Sequence, residues 1–177
     1  MERVAHGMAA EAPGTYEQEI LAAHEGEVLG HRFFLEMSRH YAEDVYGRRA
    51  FLLLTEVERE TGLLMRGLLA RHHIECPPPA ASIARGLALA QSFKALAWDT
   101  LIVEMARRIA PAVVRFESLL HKAPAADLEV IALLVEHERA LEAFVCSKPH
   151  RSNDALRPGV RYLRRLRKQT CMIFFMQ

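Results

Sequence analysis

Four stretches of this chain repeat apolar residues in alternating steps of four and three, and a carboxylate falls on or beside each repeat. That period belongs to an α-helix with one buried face, and no alternating strand pattern competes with it. The first repeat runs Tyr16, Ile20, Ala23, Glu27, Gly30, Phe34, Met37, Tyr41, and the second Phe51, Leu54, Glu58, Thr61, Met65, Leu68, His72. The third runs Trp98, Ile102, Met105, Ile109, Ala112, Phe116, Leu119, with Glu104 next to Met105; the fourth runs Ile131, Leu134, Glu138, Leu141, Val145, with His137 next to Glu138.

Punctuation residues set the expected limits. Thr15, after Pro13-Gly14, caps a helix to about His40, and a polar turn at Ala42-Glu43-Asp44 leads into a second helix reaching about His73. Cys76-Pro77-Pro78-Pro79 stops it, and the segment to about Gln91, with a small helical stretch SIARGLALAQ, reads as a crossover. Ser92 is the expected cap of a third helix to about His121, kinked at Pro111. After Lys122-Ala123-Pro124 a fourth helix extends from about Ala126 to Cys146, and Ser152 or Asn153 caps a short fifth. The expected architecture is all-α, a four-helix bundle of two antiparallel hairpins joined by a crossover, with one neighbouring pair that is not antiparallel. Residues 1–14 are expected to be disordered, 15–146 to form the bundle, and 147–177 to form a basic helix and tail.

Folding the first hairpin about its turn brings Glu27 and Glu58 to one height, because their mean position falls on the turn. Glu104 and Glu138 share the same relation to the turn at His121-Lys122. Four acids, one per helix, are thereby expected to meet in a single layer. A buried carboxylate without a partner costs several kcal/mol, so such a layer calls for a compensating charge.

The segment AEDVYGRRAFLLLTEVERET resembles the second helix, with its approach turn, of the ferritin-like di-iron carboxylate proteins of the rubrerythrin and bacterioferritin type. Glu27 with Phe34 seven residues on is similar to the first-helix pattern of that superfamily, Glu58 to its second-helix Glu, and Glu104 in spacing to its third-helix Glu. The resemblance implies a ferritin-like bundle with a non-haem di-iron or di-manganese centre, and an oxidoreductase or metal-handling role. Carboxylate and imidazole ligands together suit iron or manganese. The implied ligands are Glu27, Glu58, Glu104, His137 and Glu138. The chain departs from the family at Thr61, where the second-helix His would stand, and in VEHERAL, where neither Glu136 nor Glu138 has a His three residues on.

A metal-free bundle acting as an interaction or assembly module is the competing reading. Arg107 and Arg108, three and four residues after Glu104, are placed to neutralise it on the helix surface. Thr61 can bond its own helix backbone. His24 and His31 fall on a side stripe with Leu21, Val28 and Leu35, expected to be a second packing face or an oligomer contact, with a dimer the simplest case.

Net charge separates the two ends of the chain. Up to residue 146 there are 15 Lys and Arg against 21 Asp and Glu, and beyond it 8 against 1. RPGVRYLRRLRK forms a cationic amphipathic helix, expected to lie on its own acidic bundle or on a partner subunit; a nucleic acid or anionic membrane surface is the weaker alternative. The terminal MIFFM is expected to be buried. Three cysteines without C-x-x-C spacing argue against a disulfide framework, and nothing reads as a signal peptide or a span of about eighteen apolar residues. The expectation is a cytoplasmic protein.

Overall fold

Helices begin where side chains satisfy the amide groups that a first turn leaves free. In the computed structural model, which describes residues 14–148 and 151–175 with side chains through residue 169, Thr15 does this for α1 (Tyr16–His40). Gln18 N–H donates to Thr15 Oγ1, and Thr15 N–H donates to Gln18 Oε1, a complete capping box. Asp44 accepts from Gly47 N–H and starts α2 (Val45–Arg71). The connecting turn is short, so the two helices pack antiparallel.

The crossover is more ordered than its sequence implies. After the proline run, α3 (Ala80–Lys94) lies along α1 and runs the same way, with Arg85 toward Glu25 and Lys94 toward Glu36. Gly86 makes this possible, because a Cβ there would collide with the Leu29 carbonyl of α1. Ser92 therefore does not cap the next helix. It lies inside α3 and donates to the Leu89 carbonyl, while α4 (Trp98–Lys122) starts after Ala97 and continues past Pro111. A turn at residues 123–127 leads to α5 (Leu128–Cys146). The last helix, α6 (Asn153–Phe175), is capped by Ser152, whose Oγ accepts from Ala155 N–H; at 23 residues it is not short. Among the described residues there are six helices and no strand.

Contacts at the two ends fix the helix directions. Trp98 at the start of α4 packs edge-on against Tyr41 and Tyr46 at the α1–α2 turn, and Arg115 near the end of α4 bonds Glu19 near the start of α1. Tyr16, Arg71 and Asp127 meet at that second end. The packed pairs α1/α2, α2/α5, α4/α5 and α1/α4 are consequently all antiparallel. This corrects the expected parallel neighbour pair: α2 and α4 run the same way but stand across the core from each other.

Two apolar clusters fill the bundle. One gathers Phe33, Phe34, Met37, Phe51, Ile102, Met105 and Phe144, and the other Ile20, Ala23, Met65, Leu68, Phe116, Ile131 and Leu134. A third lies under α6, where Tyr162, Leu163 and Leu166 cover Val57, Leu133 and Ala140. The expected placement of the basic tail on the acidic body is seen here, with Arg165 paired to Glu136 and Arg167 to Glu56. The expectations for residues 1–13 and for MIFFM side chains lie outside the described residues.

Candidate functional site

Between the two main clusters, the helical period puts polar side chains where the neighbouring turns are apolar. Glu27 of α1, Glu58 of α2, and His137 and Glu138 of α5 are all buried at this level. His137 Nε2 stands 3.5 Å from Glu27 Oε2 and 3.4 Å from Glu58 Oε1. One donor atom from each of Glu27, Glu58 and His137 falls within 4.8 Å of the others, the one such group of potential metal ligands among the described residues. Glu138 adjoins the group. Glu104 does not: it lies on the outer face of α4, and its carboxylate accepts a hydrogen bond from Arg107 at 2.5 Å. The surface pairing foreseen for Glu104 is the arrangement found, and the layer holds three of the four acids.

The layer is short of partners. Glu27 Oε2, Glu138 Oε2 and both ring nitrogens of His137 are buried without a hydrogen bond. No Lys or Arg forms an ion pair with Glu27, Glu58 or Glu138 among the described residues. Burial, and after it the charges of Glu58 and Glu138, pushes the Glu27 carboxyl well above the usual range. Burial also lifts Glu138, to about 7, although His137 beside it pulls the other way. For His137, burial acts to lower the pKa, but Glu58 and then Glu138 outweigh it and leave it raised.

Backbone and hydroxyl groups shape the surroundings. Gly30 leaves room for Glu58, since a Cβ there would overlap its carboxylate. Thr61, three residues after Glu58, donates to the Val57 carbonyl at 2.9 Å and shares a 2.7 Å hydrogen bond with Tyr162 of α6. Tyr162 also packs against the His137 ring, with centroids 5.8 Å apart. Sequence reasoning missed Tyr162, although its place on the apolar face of α6 between Leu156 and Leu166 was a usable signal.

Two cavities reach the layer from opposite sides of the α1–α2 pair. One, of about 260 Å³, lies toward α4 and touches Glu27, Glu58 and Glu138. The other, of about 440 Å³, touches Glu27 and Glu58 and is flanked by His24 and His31, which burial keeps below the usual histidine pKa. Comparison with protein-family models, with curated proteins and with solved structures finds no match for this chain.

The donor chemistry fits a divalent cation. Two carboxylates and an imidazole with free lone pairs converge, and a third carboxylate stands beside them. An ion here would neutralise carboxylate charge that no Lys or Arg ion pair meets among the described residues.

Proposed function

We propose that the chain is a metal-binding protein of ferritin-like design, in which Glu27, Glu58 and His137 hold iron or manganese and Glu138 is the adjoining carboxylate. The observation that carries this reading is the buried His137 ring, both of whose nitrogens lack hydrogen bonds while two buried carboxylates face it. The path of the chain supports the ferritin-like part, since two antiparallel hairpins joined by one long crossover is the connectivity of that class. The donor count favours one ion over the expected pair, because Glu104 is engaged by Arg107 on the surface and Thr61 occupies the second-helix histidine position. A bound iron or manganese would supply one-electron redox chemistry or metal storage, and the residues around it would set its charge and hold its ligands. Thr61 and Tyr162 close the α6 side of the layer, leaving access through the two cavities.

Metal content of protein purified without chelator tests the reading directly. About one iron or manganese per chain is expected, falling below about 0.1 in Glu58→Gln and in His137→Ala, because ligand loss at a preformed site removes most of its affinity. Wild-type protein that stays below about 0.1 ion per chain after incubation with ferrous or manganous salt overturns it.

The metal-free reading has one observation in its favour. A protonated Glu27 and a charged His137 facing Glu58 would leave much of the layer balanced without an ion, as the pKa directions allow. It makes the opposite prediction in the same experiment. A nucleic-acid or anionic-surface role for α6 has less support, since Arg157, Arg165 and Arg167 direct their charge to carboxylates of this chain.

A further inference from the structure

The 260 Å³ cavity sits where two helices fail to close on each other. α1 and α4 meet through few residues although both belong to the bundle. Small residues, Ala22 and Gly26 on α1 and Ala112 on α4, stand on the cavity walls beside larger ones such as Phe34 and Phe116. Arg115, bonded to Glu19, and Phe93 of α3 also line this space, which is a slot between the two helices. Its walls are mostly apolar, which leaves ordered water few partners. At about 260 Å³ it falls just below the usual range of about 300–1,000 Å³ for ligand sites and excludes large molecules.

Charge is distributed along the slot in a definite order. Glu27, Glu58 and Glu138 form its inner end, with Glu27 Oε2 and Glu138 Oε2 buried and unpartnered. Arg108 and Arg115 also line it. Arg115 is held by Glu19, whereas Arg108 lies over the Phe93 ring at 5.5 Å and makes no ion pair with a carboxylate among the described residues; Glu104, one turn before it, is taken by Arg107. A free guanidinium at the exposed rim and an apolar passage inward match a molecule with an anionic head and a short apolar body.

We propose that this slot binds a small amphipathic carboxylate, with its head on Arg108 and its apolar end toward Glu27 and Glu138. That the inner end of the ligand would be the substrate of the centre rests on the metal reading above; the binding itself does not.

Octanoate and 1-octanol serve as probes, titrated calorimetrically into the chelator-stripped full chain. Two variants report on the slot. Gly26→Leu places a side chain on its wall at a position where a Cβ meets nothing within 4 Å, so the helix tolerates it. Arg108→Gln removes the rim charge from an exposed residue. Saturable octanoate binding is expected, weakened about tenfold or more by Gly26→Leu and about tenfold by Arg108→Gln, the loss that follows from removing one charge-assisted hydrogen bond. Octanol binding should weaken in Gly26→Leu and stay unchanged in Arg108→Gln. Absence of saturable octanoate binding to the wild-type chain, or binding that neither variant alters, overturns the proposal. Because the titration is done without metal, its failure leaves the metal reading standing, and a failed metal assay leaves the titration to be judged alone.

Discussion

At the scale of single residues, the acid layer makes stability depend on pH in a direction that can be worked out. Glu138 has a higher pKa folded than unfolded, so the native state holds its proton more tightly. Its contribution favours folding fully below about pH 4.5 and is lost as the pH rises through about 7. His137 is raised too, and its contribution is likewise lost as pH rises through its folded value. The shift at Glu138 alone corresponds to about 3 kcal/mol. Thermal unfolding of chelator-stripped protein should therefore occur at lower temperature at about pH 8 than at about pH 5, and Glu138→Gln should flatten that dependence. A midpoint that rises with pH would contradict the burial of these groups. Bound metal acts oppositely, since it displaces the same protons and binds more tightly as pH rises. The inward Glu27 and Glu58 were legible from their place in an apolar period. Their lack of a Lys or Arg partner was not, because the nearest arginine depends on which way every neighbouring helix faces.

At the scale of helices, one carboxylate ties three helices together at the end of the bundle opposite the α1–α2 turn. Asp127, buried at the start of α5, accepts from the Tyr16 hydroxyl at 2.9 Å and from Arg71 at 3.1 Å, and bonds His72 at 2.6 Å. The Tyr16 ring meets His72 edge-on. One side chain thereby ties the start of α1, the end of α2 and the start of α5. Burial and the Asp127 hydrogen bond both push the Tyr16 hydroxyl pKa up, keeping it a neutral donor. Asp127→Ala should lower stability by about 2 kcal/mol, because it strands a tyrosine hydroxyl and removes two further contacts. Urea unfolding measures this, and a loss under about 0.5 kcal/mol would show that the clasp does not bear on stability. Periodicity predicted α1, α2 and α5 to within a few residues, since each has a clear buried face, and placed the end of α4 but started it at Ser92, inside α3. It underestimated α3, whose SIARGLALAQ core is nearly as small as it is apolar and is held by the backbone of α1 at Gly86.

At the scale of the whole molecule, α6 completes the fold by covering the α2–α5 side of the bundle. It buries Val57, Leu133 and Ala140 and brings Tyr162 to Thr61 and His137. Ending the chain after Asn153 would expose that apolar face and open the acid layer to water. The truncated protein should melt at lower temperature and bind a hydrophobic dye that the full chain does not. An unchanged melting temperature would mean that α6 is peripheral. The charge split in the sequence anticipated that a basic segment lies against an acidic body, and Arg165 with Glu136 and Arg167 with Glu56 show how.

By itself the sequence determined the four helices of the bundle, their buried faces and the height at which Glu27, Glu58 and Glu138 stand, because each follows from a period of 3.6 residues and the position of a turn. Tertiary structure alone decided that Tyr162 reaches Thr61 and His137, that α2 and α4 stand on a diagonal, and that a slot remains between α1 and α4. Those outcomes depend on rotation of each helix about its axis and on the distance between axes. Both are set by how all the helices pack together, so no single segment encodes them.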